Sequence, residues 1–225
     1  GVIMRMGPGV SLLTYRPIVF RGTSENPVTI EPQDETRPWG SIGVISADGQ
    51  SQIDHAIIRG GSEDWVTGIQ LTGQLSFHNS DVSISNSMVS RAHGDDGINV
   101  KHAKIDIRDS TFKSNQSDGF DGDWVQGKIL RSRFENNRGD GIDLAGSNVT
   151  INRTLFSQMG DKGLSVGEAS KATIIHSMFE RSNIGVAVKD LSSVRVHSGS
   201  FYMNDTAVSA YQKKPAFGGA HGAIT

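Results

Sequence analysis

The sequence predicts an all-β protein: a right-handed single-stranded parallel β-helix, a solenoid with about 22 residues per coil. Two observations predict this fold. A glycine followed by an apolar–any–apolar triplet recurs, and its last five spacings are all 22 residues. A phenylalanine recurs with nearly the same period. The first residues of the glycine motif, one per copy, are Gly68, Gly97, Gly119, Gly141, Gly163, Gly185 and, in a degenerate last copy, Ala207. The recurring phenylalanines are Phe112, Phe134, Phe156, Phe179 and Phe201.

Each repeat contains two short runs of alternating apolar residues, such as DGINV and KIDI, and no amphipathic helix of ten or more residues. Strands with one apolar face must stack on the next copy to bury that face, and their crossovers are expected to be right-handed. We therefore expect Ile69, Leu71 and Ile98 to point into the core, whereas the residue between the two apolar positions points outward. A leucine-rich repeat has a similar period, but its leucine pattern and its helical half are missing.

We expect one β-helix domain over residues 1–225. Residues 1–40 are predicted to form lead-in coils, 41–212 regular coils, and 213–225 a closing turn or a cut edge. A weaker copy of the repeat begins at Gly43. Because neither end shows an amphipathic cap, we expect a longer native chain with further domains, or a partner, to cover the ends of the solenoid.

The overall charge, cysteine content and hydropathy narrow the range of possible functions. The formal net charge is −2, which gives no indication of a nucleic-acid partner or of an anionic membrane surface. The chain has no cysteine, so a disulfide framework and thiolate chemistry are excluded. No run of 18 apolar residues occurs, and we therefore expect no membrane insertion.

Negative charge is concentrated in one part of the repeat. Residues 117–124 read SDGFDGDW, and nine of the 17 aspartates lie between Asp95 and Asp143. Parallel stacking places equivalent residues of successive coils about 5 Å apart, so two columns of carboxylates are expected on neighbouring coils. Such charges must bind a cation, meet basic partners or hold a proton.

Three interpretations of the aspartates follow, and all stay open. Clustered carboxylates and carbonyl oxygens suit Ca²⁺, which is the only cofactor that the sequence suggests. A pair of carboxylates with separated pKa values serves glycoside hydrolysis as acid and base. Aspartate beside glycine is also an ordinary turn residue.

The repeat region, about residues 40–212, resembles the right-handed parallel β-helix repeat proteins of the pectate-lyase-like superfold. The phrases GDGIDLAGS, GDKGLSVGE and IGVAVKD also resemble the β-helix region attached to bacterial CotH-like surface proteins. The resemblance implies an extracellular or cell-surface bacterial protein whose partner is a polysaccharide. It implies, for lyases, calcium-binding acids paired with an arginine or lysine base.

The segment HGDDGINVK (93–101) resembles the GDD segment of polygalacturonase-type hydrolases, which implies catalytic acids at Asp95 and Asp96. The chain departs from that pattern, because the preceding coil offers Thr67 for the expected aspartate and the following coil lacks Gly-His-Gly. These departures put a polygalacturonase activity in doubt.

The hypothesis is a protein that binds or degrades an acidic polysaccharide through the aspartate ladder; if it is an enzyme, it is a polysaccharide lyase or a glycoside hydrolase. The alternative is a non-catalytic structural, adhesin or accessory carbohydrate-binding module. Trp124 is expected either to stack on a sugar ring or to cover the gap left by Gly122. The candidate residues are Asp95, Asp96, Asp121 and Asp143 for catalysis; Trp124, Asp118, Asp123, Asp140, Lys101, Lys162 and His93 for substrate binding; and Asp118, Asp121, Asp123 and Asp143 for a metal.

Overall fold

The computed structural model describes residues 1–224, with side chains described to residue 220, and it confirms the predicted all-β solenoid. Three sheets, here named A, B and C, contain nine strands each, and every pairing within them is parallel. The described residues form no α-helix, and thus none that could cross a membrane.

The strands, in chain order, are β1 (Ile3–Met6), β2 (Leu12–Thr14), β3 (Val19–Arg21), β4 (Val28–Pro32), β5 (Ile42–Ile45), β6 (Ser51–Asp54), β7 (Ala56–Arg59), β8 (Asp64–Val66), β9 (Ile69–Leu71), β10 (Gly73–His78), β11 (Val82–Ser85), β12 (Met88–Ser90), β13 (Asp96–Lys101), β14 (Lys104–Arg108), β15 (Thr111–Lys113), β16 (Asp118–Asp123), β17 (Gln126–Leu130), β18 (Arg133–Glu135), β19 (Ile142–Ala145), β20 (Asn148–Asn152), β21 (Leu155–Ser157), β22 (Lys162–Gly167), β23 (Lys171–Ile175), β24 (Met178–Glu180), β25 (Ile184–Lys189), β26 (Ser193–His197), β27 (Ser200–Tyr202), β28 (Thr206–Tyr211) and β29 (His221–Ile224).

Each coil contributes one strand to each sheet, in the order B, C, A. Sheet B is built from β2, β5, β10, β13, β16, β19, β22, β25 and β28. The glycine-led runs form its central strands, the second alternating runs form sheet C, and the phenylalanine positions form a third strand in sheet A. The expectation of two strand-forming runs per repeat was therefore incomplete.

The core is a set of ladders that run along the solenoid. In sheet B the inward positions Ile98, Phe120 and Ile142 pair in register and are fully buried. In sheet A the five predicted phenylalanines stack, with ring centroids 4.5–5.2 Å apart along the ladder. Similar side chains can stack in this way because the parallel register points equivalent residues of successive coils to the same face of the sheet.

One predicted part of the ladder was wrong. Leu75 lies opposite Ile98, so β10 forms the coil strand, whereas Ile69 and Leu71 belong to β9, which pairs antiparallel with β8. The segment β8–β9 is a hairpin inserted into the coil. A short hairpin strand alternates with the same period as a coil strand, which explains why the motif TGIQL matched the repeat.

The hairpin lies on the outer face of sheet B. Gly43 pairs with Ser76, two residues away from its predicted lead position, and therefore occupies an outward column. A Cβ at Gly43 would lie 2.8 Å from Leu71 Cδ1, so the fully buried Leu71 packs over this glycine. The hairpin thus covers sheet B at β5, two coils before Asp96.

At the other end of the chain, β28 pairs with β25, and β29 adds a strand to sheet C by pairing with β26. Residues 212–220 form the connecting loop, which Lys214 joins to the body through an ion pair with Glu168. The last residue of the predicted closing segment, Thr225, lies outside the described residues.

Candidate functional site on the outer face of sheet B

Six aspartates meet on the outer face of sheet B, at its central strands. The register aligns Asp96 with Asp118, and Asp121 with Asp143. We call this surface the acidic face, and its members are Asp96, Asp118, Asp121, Asp123, Asp140 and Asp143. The structure therefore brings together most of the acids that the sequence singled out.

The glycine that follows the first acid of each coil is required by close packing between coils. A Cβ at Gly119 would lie 2.8 Å from the carbonyl oxygen of Gly141 and 2.8 Å from Nδ2 of Asn137. Any larger residue would push neighbouring coils apart. The Asp-Gly pairs thus place an acid at the same edge of every coil.

Three carboxylates converge closely enough to hold a metal ion. One oxygen from each of Asp118, Asp140 and Asp143 lies within 4.8 Å of the others. The triad includes two of the predicted metal ligands, Asp118 and Asp143. Its third member is Asp140, which was expected to bind substrate. Asp121 and Asp123, also expected as metal ligands, are not members of this triad.

The same acids also bind the backbone of the next coil. Asp118 Oδ1 accepts a hydrogen bond of 2.6 Å from the Asp140 amide, and Asp140 Oδ1 accepts one of 2.9 Å from the Lys162 amide. This is the turn role that aspartate beside glycine suggested. Both acids also belong to the triad, so the structural role and a functional one coexist.

Burial and crowding change the acidity of this cluster. Burial, with the nearby Asp140, raises the pKa of Asp118 to about 7. Burial raises the pKa of Asp140 to about 6, against the lowering effect of Lys162. Burial and neighbouring carboxylates raise the pKa values of Asp96 and Asp121 well above their usual range. Near neutral pH the acidic face therefore holds protons unless a cation neutralises it.

A polar row crosses the coils beside the triad. His78 Nε2 lies 3.0 Å from Asn99 Oδ1, and Asn99 Nδ2 donates a hydrogen bond of 2.7 Å to Asp121 Oδ2. Asn99 faces outward as predicted for its column but is fully buried by its neighbours. Burial lowers the pKa of His78, which favours the neutral imidazole. Neither His78 nor Asn99 was predicted as a site residue, although Asn99 shares the outward column of Asp121.

Three lysines border the acids. Lys101 Nζ lies 3.5 Å from Asp123, and Lys162 Nζ lies 3.2 Å from Asp140. Burial lowers the pKa of Lys162, but its ion pairs with Asp161 and Asp140 outweigh burial and the net shift is upward.

The third lysine, Lys189, was not predicted. Its ammonium lies 3.8 Å from Asp143, and its side chain is almost fully buried. It reaches Asp143 by crossing Gly167, where a Cβ would lie 3.3 Å from Lys189 Cε. The sequence indicates that Lys189 lies near Asp143 only once the register of the coils is known, since Lys189 comes two coils after Asp143.

The remaining candidates lie at the margins. Asp95 and His93 are exposed in the turn that precedes β13, and His93 lines a separate pocket with Arg91. Trp124 lies in the turn that follows β16, and 53% of its surface is exposed.

Trp124 stacks on His102, with ring centroids 4.6 Å apart and planes 4° from parallel. On its other side it leans over Gly146, where a Cβ would lie 2.6 Å from the indole Nε1. The gap at Gly122 is lined instead by Phe120, Val125 and Leu144. The indole therefore forms an exposed aromatic step beside the acidic face rather than a plug in the core.

Part of the chain matches a known family model. Residues 120–217 match the family model described as "Right handed beta helix region". This match covers less than half of the chain and agrees with its fold, which is a right-handed parallel β-helix. No curated protein sequence matches it significantly, and no comparison confirms the predicted likeness to CotH-like proteins.

Three solved structures show what the β-helix is similar to. The enzymatically active domain of tailspike protein 2 from bacteriophage CBA120 has a TM-score of 0.53 and 9% identity, covering 100% of this chain and 42% of that one. Pectate lyase Pel9A has a TM-score of 0.41 and 13% identity, with 99% and 68% covered. The A-module of the mannuronan C-5 epimerase AlgE4 from Azotobacter vinelandii has a TM-score of 0.48 and 9% identity, with 99% and 89% covered. The tailspike likeness supports the fold alone.

Proposed function

We propose that this β-helix binds and degrades an acidic polysaccharide on its acidic face, with the help of a calcium ion. We further propose that it acts at the cell surface or outside the cell. The observation that carries the proposal is the convergence of Asp118, Asp140 and Asp143 on one point, beside buried acids and three lysines. The similarity to a tailspike domain described as enzymatically active agrees with this function but supports only the fold.

A cation explains how an anionic polymer can approach six aspartates. Ca²⁺ takes six to eight oxygen ligands, and the triad would supply at least one from each of its three carboxylates. A carboxylate of the substrate can serve as one of these ligands. The cation would then neutralise the triad and also attract the polymer.

The acids and bases for a cleavage reaction stand next to the triad. Asp121 has a raised pKa and is held in position by the amide of Asn99, which suits a group that donates a proton. Lys189, near Asp143, and Lys101, near Asp123, are the candidate bases of a lyase reaction. A hydrolase would instead pair Asp121 with a second carboxylate.

The first experiment measures product release from a panel of acidic and neutral polysaccharides, with calcium or with a chelator. Cleavage of an acidic polymer is expected in calcium and should fall to background in the chelator and in Asp121→Asn and Asp143→Asn. Asp109→Asn is the matched control, because Asp109 pairs with Arg131 away from this face. Circular dichroism and urea midpoints show whether each variant is folded.

The products identify the reaction. Absorbance of an unsaturated uronate indicates a lyase, whereas new reducing ends without that absorbance indicate a hydrolase. A change in uronate configuration without shorter chains, followed by NMR, indicates an epimerase. Cleavage that persists in the chelator would contradict the role of the cation.

A second candidate function is a non-catalytic binding module. The observation that favours it is the spacing of the coils after Asp118. The register of sheet B advances by 22 residues per coil through β28, without an inserted loop to wall a groove. This candidate predicts calcium-dependent binding, measured by calorimetry, with no product from any polymer. Absence of both binding and product would contradict both functions.

A further inference from the structure

A second concave site lies outside the acidic face. The loop at residues 33–38 and the turns that lead from sheet A to sheet B in the following coils enclose a pocket of about 330 Å³. We call it the arginine pocket, because Arg37, Arg59 and Arg91 line it together with His93. None of its lining residues belongs to the acidic face.

The charges of the arginine pocket are only partly balanced. Arg59 is held by Glu31 at 2.9 Å and by Glu35 at 2.7 Å. Arg91 makes a longer contact of 3.4 Å with Glu35, and 60% of its side chain is exposed. Arg37 has no carboxylate within 4 Å among the residues that the structure describes, although its charge acts on the nearby Asp34. The pocket therefore keeps positive charge that a ligand anion can meet.

The rest of the lining suits a sugar. Pro38 offers an apolar surface, and Pro32 lines the pocket although it is largely buried, while Ser114 and Gln116 offer hydroxyl and amide groups. Pockets for small ligands start at about 300 Å³ and combine apolar surface with a few polar groups, which matches this volume and lining. Guanidinium groups bind carboxylates with two parallel hydrogen bonds and need no metal ion.

We propose that the arginine pocket binds one uronate unit of the acidic polysaccharide through its carboxylate, independently of calcium. This inference rests on the proposed function, since it takes an acidic sugar from the same class of polymer. His93 is three residues before Asp96, so their Cα atoms are at most about 11 Å apart. One polymer chain can therefore reach both sites, with the pocket fixing the position of a unit near the acidic face.

Glu35 gives the proposal its sharpest test. Its carboxylate contacts both Arg59 and Arg91, and it occupies the place that a ligand carboxylate would take. Removing its charge should therefore strengthen binding, whereas a purely structural network would only lose stability.

The experiment is calorimetric titration of the whole chain with glucuronate, glucose and inorganic phosphate, all in chelator. Glucuronate alone is expected to bind. Its affinity should fall at least tenfold in Arg37→Gln/Arg91→Gln and rise severalfold in Glu35→Gln. Arg131→Gln, an exposed arginine paired with Asp109, should leave the affinity unchanged. Arg37→Gln alone breaks no ion pair, and it tests the pocket if the double variant fails to fold.

Four outcomes would overturn the proposal: no binding of glucuronate, binding that survives the arginine variants, binding that requires calcium, or phosphate binding as tight as that of glucuronate. Loss of glucuronate binding in Asp143→Asn would assign the ligand to the acidic face. Failure of the proposed function has a different signature, because calcium-dependent polymer binding would then be missing while chelator-resistant glucuronate binding persists.

Discussion

Asp118 shows how one side chain can serve structure and function together. One of its carboxyl oxygens binds the amide of Asp140 in the next coil, while the carboxyl group also belongs to the triad. The sequence predicted its position because Asp-Gly recurs every 22 residues. It left the role open, because a turn aspartate and a ligand aspartate leave the same pattern.

Residues of the site that carry no repeating charge were harder to predict. Asn99 shares a column with Asp121, and Lys189 lies beside Asp143, but neither is an acid that recurs from coil to coil. Their contribution depends on burial and on which atoms meet between coils, and the periodic pattern does not encode either. Trp124 was singled out because it lies in the turn directly after the acidic strand, where an indole could stack on a sugar ring, yet its stacking on His102 follows only from the register.

The raised pKa of Asp118 predicts how stability depends on pH. The folded chain retains this proton up to about pH 7, whereas an unfolded aspartate loses it near 3.8. Without metal, the contribution is fully present below about pH 4 and is lost as pH rises to 7. Each tenfold fall in proton concentration within this window costs about 1.4 kcal/mol of unfolding free energy. Urea unfolding in chelator should show this loss, and Asp118→Asn should reduce it.

The control is Asp109→Asn. Arg131 lowers the pKa of Asp109, so its titration lies below this window and the pH profile between 4 and 7 should match that of the parent chain. Added calcium should stabilise the parent chain at pH 8 and have little effect on Asp118→Asn. An unchanged pH profile in Asp118→Asn would contradict the assignment.

The aromatic step can be tested without removing Trp124. Gly146 has φ of 60°, and a Cβ there would lie 2.6 Å from the indole, so Gly146→Ala should displace the ring. We expect weaker polysaccharide binding by severalfold, a change in tryptophan fluorescence, and a stability loss of about 1 kcal/mol from the backbone alone.

Gly68→Ala is the matched control for this substitution. Gly68 has φ of 80° and nothing within 4 Å of a Cβ, so it carries a similar backbone cost without contacting Trp124. Equal polysaccharide binding by the two variants would remove Trp124 from the site.

At the scale of the element, the strands that repeat were predicted and the strand that interrupts them was not. The spacing of 22 residues identified β13, β16, β19, β22 and β25, because a parallel coil must return to the same register. The hairpin β8–β9 was misread because GIQL satisfies the same local pattern. Only pairing partners distinguish a coil strand from a hairpin strand, and these are tertiary contacts.

The phenylalanine ladder of sheet A makes the strongest prediction about stability. Phe134 is fully buried between Phe112 and Phe156. Phe134→Ala should cost about 3–5 kcal/mol in urea unfolding, since it removes the transfer free energy and leaves a cavity. Phe201→Ala should cost less, because Phe201 is the last ring of the stack and is partly exposed. Equal costs would contradict a ladder that is strongest in its interior.

At the scale of the whole molecule, stability is expected to vary along the solenoid. Each coil packs mainly against the coils before and after it, so the terminal coils of this chain have one main interface where central coils have two. Large apolar side chains are exposed in the first coil, among them Ile3 and Val19. Hydrogen exchange followed by mass spectrometry should find the slowest amides in β13–β22 and the fastest in β1–β3 and β27–β29. Uniform exchange along the chain would show that it unfolds as one unit.

The uninterrupted spacing of the coils after Asp118 also affects how such a protein can evolve by gene duplication. A duplicated stretch of DNA that encodes one 22-residue coil would insert a turn whose inward and outward residues already match those above and below it. Copying the coil that carries Asp118 and Asp121 would lengthen the acidic face by about 4.8 Å, the distance between strands. The acidic face could therefore become longer or shorter by one coil at a time while the packing of the core stays the same.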